Sequence, residues 1–416
     1  MRVLLSTYGS RGDVEPMAAL AVALRGIGVE AVVCAPADPE FLRLLDRAEV
    51  PLAPAFMPVR PWIDRARRSG WDLPRAAAEM AARQYEAVAA AAEGCDAIVA
   101  TGLFPSIAAA QTVAEVRDVP YVWTAFCPVI LPSPHHPPLA YPGHPHPPGV
   151  TDNHALWDHN DAAMNALFGR AVNGLRASVG LPELDRVRDH VFTRRPWLAA
   201  DPLLGPWPGA AELEVVQTGA WVLPDDRPLP AELEAFLAAG ESPVYVGFGS
   251  MGMPGVADTA HVAVEAARAR GRRVILARGW ADAVPADGRD DVLAVALVNQ
   301  LALFPPVAAL VPPGGAGSTF AAAPARWPQV VVPRLADQPY WAERVAALGV
   351  GLAHDGPVAT LDSLSAGLAV ALSSEAAGRA SGLAGVLRAD GAAGAARGLG
   401  QLTGLQGPPV ERLSAD

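Results

Sequence analysis

The chain has 416 residues, 51% of them hydrophobic and 18% charged, which supplies well-buried cores and excludes a largely disordered protein. A chain this long suits two domains of roughly 200 residues each. The formal net charge is -11 and no run of Lys or Arg occurs, so the electrostatic footprint of a nucleic-acid binder is absent.

Acidity does not exclude an anionic ligand, because glycine-rich turns and helix N-termini hold phosphate through backbone N–H groups. The cysteines, Cys34, Cys95 and Cys127, are odd in number, far apart and free of Cys-x-x-Cys pairing, as expected of buried thiols in a reducing cytoplasm. No basic leader precedes the first apolar segment, and no apolar run approaches the roughly 18 residues of a membrane span. A cytoplasmic protein without integral membrane association is expected.

In chain order, Arg2 to Ser6 reads as a buried strand, followed by a Gly and Ser turn and a helix carrying Met17, Leu20, Leu24 and Ile27 on one face. Glu15-Pro16 suits the start of that helix, and Gly26 and Gly28 close it before a strand from Glu30 to Cys34. Strands at Asp96 to Ala100 and Pro120 to Thr124 alternate with helices near 74–93 and 106–115, the pattern of a parallel doubly wound sheet. A Pro and His-rich stretch from Pro128 to Asn153 interrupts this order and is expected to border a binding cleft.

Residues 201–220 are punctuated by Pro and Gly and read as a linker. The alternation resumes with a strand from Pro243 to Phe248, a helix near 257–270, and strands at Arg273 to Ala277, Val292 to Ala296, Val307 to Val311 and Gln329 to Val332. The expected architecture is α/β: a first domain over 1–200, a second over 221–400 and a tail over 401–416, the two doubly wound domains facing across a cleft.

Ligands of open α/β sheets bind beyond the carboxyl ends of the strands. Gly9-Ser10-Arg11-Gly12-Asp13 lies there in the first half, and Asp13 is a candidate general base; a purely local role capping the helix near Glu15 is the competing reading. In the second half Gly314-Gly315-Ala316-Gly317-Ser318 lies between a strand and a helix and can bring backbone N–H groups to a pyrophosphate. Gly249-Ser250, Arg278-Gly279-Trp280 and Asp337-Gln338 end neighbouring strands. Ser250 suits a phosphate, Trp280 a base, and the carboxylate and amide of Asp337 and Gln338 the alternating hydroxyls of a hexose.

Other chemistries fail. Phe248 occupies the first glycine of a G-x-S-x-G nucleophile elbow, which argues against a serine hydrolase. No Asp-x-Asp is present, and His135, His136, His144 and His146 lack metal-ligand spacing, so no metal is expected. His135, His136 and Tyr141 are instead candidates for acceptor contacts.

These blocks, MRVLLSTYGSRGDVEP, RASVGLPELD, VQTGAWVLPDDRPLPAELEAFL, PVYVGFGS, GRRVILARGWAD and ADQPYWAERVAALGVG among them, resemble the glycopeptide-antibiotic glycosyltransferases, the vancomycin-group enzymes of the GT-B fold, along almost the whole chain. The resemblance implies an N-terminal acceptor domain and a C-terminal nucleotide-sugar domain. It implies that Asp13 deprotonates the acceptor hydroxyl and that the anomeric configuration inverts without a metal or a cofactor, the nucleotide sugar being a co-substrate. It further assigns Ser10, Ser250 and the Gly314 to Ser318 turn to the diphosphate, Arg278, Trp280 and Val298 to the nucleoside, Asp337 with Gln338 to the sugar, and Arg11 and Gly12 to donor binding.

Departures from the pattern are specific. Pro312-Pro313 replaces the usual His-His before the glycines, Pro324 to Pro328 replaces Arg-Ala-Gly-x-Pro, and Leu301 stands where Gln is frequent. The expected activity is transfer of a sugar, glucose favoured, from a UDP- or dTDP-sugar to a glycopeptide aglycone in antibiotic biosynthesis. A polyketide or macrolide acceptor, and a binding or auxiliary protein that has lost productive donor use, remain as alternatives.

Overall fold

The computed structural model describes residues 1–68, 70, 72–210, 212–249, 255–279, 289–322, 328–388 and 390–402. The first sheet is parallel, with strand order β3-β2-β1-β4-β5-β6-β7. Its strands are β1 (Arg2–Tyr8), β2 (Glu30–Ala35), β3 (Leu52–Pro54), β4 (Ala97–Gly102), β5 (Tyr121–Ala125), β6 (Trp197–Leu198) and β7 (Val216–Gln217). The second sheet, order β10-β9-β8-β11-β12-β13, is also parallel and comprises β8 (Val244–Val246), β9 (Val274–Ala277), β10 (Val292–Val295), β11 (Ala309–Val311), β12 (Gln329–Val331) and β13 (Gly351–Ala353).

The central strands are nearly continuous runs of Val, Leu, Ile and Ala because helices cover both faces of a parallel sheet. Val3, Leu4 and Leu5 in β1 and Ala97 to Ala100 in β4 are fully buried. Helices Arg11–Gly26, Leu73–Ala91 and Phe104–Arg117 pack on the first sheet, and Val256–Arg268 and Leu361–Ala371 pack on the second. The anticipated helices near 74–93, 106–115 and 257–270 are therefore present within a few residues. The first helix begins at Arg11, four residues before the expected start, because Ser10 is its N-cap.

Two boundaries differ from the sequence expectation. Residues 201–220 are not a free linker: β7 lies within them and pairs with β6 at the edge of the first sheet. The crossing to the second domain follows it. Secondly, the helix Gly391–Leu402 does not belong to the second domain, since Ala395, Ala396 and Leu399 are buried in the first domain's core and the helix packs on Arg11–Gly26. The outgoing and returning crossings touch at Gly219 and Gly391, where a Cβ on Gly391 would lie 2.4 Å from the Gly219 carbonyl carbon. The expected tail lies outside the described residues beyond Leu402.

The Pro and His-rich stretch folds on itself with a bridge between Tyr141 and His144 and ends at the helix Asn153–Met164. That helix continues through a π-helical turn, Asn165–Gly169, into Arg170–Ser178.

Candidate active site

The carboxyl ends of both sheets open onto one shared cleft of about 1590 Å³. Its first-domain wall carries Gly9 to Asp13, and its second-domain wall carries Arg278, Val298, Gly315 to Ser318, Asp337 and Gln338. Residues separated by more than 300 positions in sequence thus share a site because both sheets present the same edge to it. Ser250 and Trp280 lie outside the described residues.

Asp13 occupies the third position of its helix, and its carboxylate folds back to accept from the Ser10 backbone N–H at 2.7 Å and from the Ser10 hydroxyl at 3.2 Å. Ser10 Oγ in turn accepts from Gly12 N at 3.2 Å. This reciprocal capping box satisfies donors that a helix end leaves open. The capping reading of this aspartate holds, and it does not take the carboxylate out of the cleft: the cap fixes it at the rim. Gly9 is required for this, since a Cβ there would stand 2.2 Å from Asp13 Oδ2.

Burial raises the Asp13 carboxyl to a pKa of about 6; the two bonds from Ser10 pull it down only partly, and the charge of Asp337 pushes it up further. A carboxylate so placed is a stronger base than an exposed one and is still ionised at neutral pH. Asp337 is also raised, chiefly by burial, against bonds from Trp341 Nε1 at 2.7 Å and from backbone N–H groups including that of Ala316. It follows Ala336, whose φ of 54° is the left-handed region seldom used by alanine. Gln338 Oε1 accepts from Arg334 N and Leu335 N at 2.8 and 3.2 Å, which braces the loop carrying Asp337.

Gly314 has φ 84°, and a Cβ on it would meet Val331 Cγ1 at 2.4 Å, so only glycine fits this turn. The Ser318 hydroxyl donates to the Gly315 carbonyl at 3.0 Å, so the turn's own backbone takes the proton donor that sequence reasoning offered to a phosphate. The N–H groups of Gly317 and Ser318, in the first helical turn, have no acceptor within the helix, and both residues line the cleft. Pro312 and Pro313 border the cleft beside them and supply no N–H.

Arg11 is drawn into an ion pair along its own helix, Nε to Glu15 Oε2 at 2.6 Å, and so reaches the cleft already neutralised. Arg278 is exposed at the end of β9, its guanidinium without a hydrogen-bond partner among the described residues. The next residue, Gly279, approaches Gly249 so closely that a Cβ would lie 2.5 Å from the Gly249 carbonyl oxygen.

The acceptor-side candidates divide. Tyr141 lines the cleft and packs edge-on against Phe168, with ring centroids 5.7 Å apart. His135 and His136 do not line it. His135 is exposed on the outer loop, whereas His136 is turned between Trp157 and Trp207, at 5.8 and 6.4 Å, and burial lowers its pKa. The aromatic neighbours supplied by distant segments, invisible in the local Pro-His pattern, capture the ring.

Sequence reasoning missed Asn299 and Trp341. Asn299 caps a short helix through Ala302 N and donates Nδ2 to the carbonyls of Asp225 and Arg227 at 2.9 and 2.8 Å, fastening the crossing segment to the second domain. Its place immediately after Val298, in a capping position before Gln300 to Leu303, was the available signal. Trp341, fully buried, had its signal in the i, i+4 spacing from Asp337.

Two parallel doubly wound domains, with a helix-capping carboxylate at the first strand end of one and a glycine-rich turn facing it from the other, are the architecture of the GT-B class of sugar-transferring enzymes. Comparison with known proteins agrees. Residues 278–394 match the family model of the erythromycin biosynthesis protein CIII-like C-terminal domain. The glycosyltransferase GtfE of Amycolatopsis orientalis is 48% identical over 99% of this chain and 100% of its own, and the vancomycin aglycone glucosyltransferase of the same organism is 47% identical over the same shares. The crystal structure of the kitacinnamycin glycosyltransferase superposes with a TM-score of 0.71 at 19% identity, covering 97% of this chain and 98% of that one. This chain belongs to the vancomycin-group glycopeptide-antibiotic glycosyltransferases and is a glycosyltransferase of GT-B fold. No described helix is long and apolar enough to cross a membrane.

Proposed function

We propose that this enzyme transfers glucose from a nucleoside diphosphate donor to a hydroxyl of a glycopeptide aglycone, inverting the anomeric configuration without a metal ion. The observation that carries this reading is the placement of Asp13, with a pKa of about 6, in the same cleft as Asp337, Gln338 and Gly315 to Ser318. The 47% identity to a protein named as acting on the vancomycin aglycone supports the acceptor and the glucose.

In the proposed step Asp13 accepts the proton of the acceptor hydroxyl. The resulting oxygen nucleophile forms a bond to the anomeric carbon from the face opposite the nucleotide, and the carbon–oxygen bond to the diphosphate breaks. The leaving diphosphate takes the electron pair. Backbone N–H groups of Gly317 and Ser318 and the exposed Arg278 guanidinium meet its charge. Asp337 and Gln338 hold the sugar hydroxyls.

The test is product mass after incubating the purified chain with a crosslinked heptapeptide aglycone and a panel of UDP- and dTDP-sugars, with and without chelator. A gain of one hexose from a glucose donor, unchanged by chelator, is expected. No gain from any donor while the fold is intact and nucleotide is bound overturns the acceptor assignment; a chelator-sensitive gain overturns the metal-free mechanism.

A further inference from the structure

The helix Gln338–Ala347 has two faces that belong to different cores. Ala342 and Val345 are buried in the second domain beside Val331 of β12. Asp337, Trp341 and Arg344 recur at i, i+4 and i+7, the spacing of one helical stripe. Trp341 and Arg344 on that stripe are turned toward the first domain. The Trp341 ring is fully buried in the core cluster that β1, β4 and β5 build, although its helix belongs to the second domain. It lies so close to Gly205 that a Cβ there would stand 2.8 Å from Trp341 Cη2. Arg344 donates from Nε and Nη2 to the carbonyls of Leu204 and Leu203 at 2.8 and 2.9 Å.

The turn that receives them, residues 201–205, is itself braced within the first domain. Asp201 Oδ1 accepts from Leu203 N and Leu204 N at 2.8 and 3.2 Å, and Gln217 Nε2 of β7 donates to the carbonyls of Ala200 and Gly205 at 3.0 and 2.9 Å. Phe320 and Tyr340 grip the indole edge-on, with ring centroids 5.1 and 5.0 Å away. A buried indole N–H needs an acceptor, and this one finds it in the cleft: Nε1 donates to Asp337 Oδ2 at 2.7 Å. Asp337 stands at the N-cap of the helix, yet its side chain makes no capping bond there, so the direction of the carboxylate is set by the indole.

We propose that Trp341 is a positioning residue for donor use, registering the Asp337 carboxylate against the domain that carries Asp13 rather than against its own sheet alone. The proposal rests on the reading of Asp337 as a partner of the sugar hydroxyls. One rigid ring joins the first domain's core to the group that holds the sugar, which keeps the anomeric carbon in register with the base on the opposite wall. Register of that kind decides how much of a bound pair stands in position to react.

The test measures, by calorimetry on the intact chain without acceptor, the affinities of UDP and dTDP and of their glucose conjugates. The affinity of each conjugate relative to its nucleotide isolates the part played by the sugar. Trp341→Phe keeps a ring in place and removes the N–H; the relative affinity is expected to fall about tenfold, the lower range for a hydrogen bond to a charged group, with nucleotide affinity unchanged. Asp337→Ala is expected to lower it at least as far, and adding Trp341→Phe to Asp337→Ala should lower it no further, because the indole acts through the carboxylate. Gly205→Ala, a change confined to the first domain, presses on the ring and should shift the relative affinity in the same direction. An unchanged value in Asp337→Ala overturns the sugar reading of Asp337 and the proposal with it. With that reading upheld, an unchanged value in Trp341→Phe, a loss shared equally by nucleotide and conjugate, or a further fall in the double variant overturns the proposal alone. Should Trp341→Phe not melt cooperatively, Gly205→Ala decides: a fall with nucleotide affinity intact supports the anchor, and an unchanged value overturns it.

Discussion

The turn after β1 and the turn after β11 each leave a central strand of their sheet and face the same cleft, yet they are built differently. The first closes on a capping box: Ser10 and Asp13 satisfy one another, and a helix of 16 residues follows. The second has no carboxylate, begins with two prolines and relies on Gly314 in a left-handed conformation to bring bare backbone to the cleft. One turn spends its side chains to hold a charge still; the other removes side chains so that a ligand can approach. In the proposed reaction the same strand-turn-helix unit therefore serves proton transfer on one wall and anion binding on the other.

The sharpest way to break this contrast is Asp13→Asn. Turnover is expected to fall about 10²–10⁴-fold, with nucleotide affinity kept, as measured by steady-state rates and calorimetry. The same variant should melt at a higher temperature at pH 7. Asp13 has a folded pKa of about 6 against 3.8, so its ionised form costs stability, a cost that grows as pH rises from 3.8 through about 6 and then stays constant. The upper bound is roughly 3 kcal/mol, less whatever the capping bonds lose.

Gly9→Ala attacks the same turn from outside. Its Cβ displaces the carboxylate, and about 10²-fold loss in kcat is expected from a misplacement of that order, with rescue absent at high pH because geometry rather than ionisation is at fault. On the other wall, histidine at Pro312 and Pro313 should raise kcat or donor affinity by roughly one order of magnitude, and at most two, the value of one charge-assisted bond of about 1.5–3 kcal/mol; no gain would show that the Arg278 guanidinium already meets the charge.

The smallest effect concerns the coupling between walls. kcat/KM should rise with pH through about 6 and level off above it, because Asp13 must be ionised to accept a proton. Asp337→Asn removes a charge that raises Asp13, so this acid limb should move to lower pH whatever happens to the plateau. An unmoved limb would separate the two carboxylates.

Much of this contrast was legible beforehand. Short continuous apolar runs and Gly punctuation placed nine of the strands within a few residues, and Asp13 and Gly314 stood out because strand ends in α/β sheets are where ligands bind. What was illegible depended on partners far away in sequence. The two-residue strands β6 and β7 have no period of their own and exist only as an extension of β5. His136 looked like a cleft residue until Trp157 and Trp207 enclosed it, and Ser318 looked like a phosphate ligand until the Gly315 carbonyl claimed its hydroxyl. The aromatic wall of the cleft around Tyr141 is assembled from five segments, none with an unusual pattern alone.

The contact of Gly219 with Gly391 turns the second domain into a cassette. Its entry and exit strands of chain lie backbone to backbone, with no side chain on either glycine to part them, so everything between them is an insertion in a first domain that the helix Gly391–Leu402 completes. Cutting and rejoining at these two glycines should let the entire module be exchanged with that of a relative while the wall bearing Asp13 is left as it is.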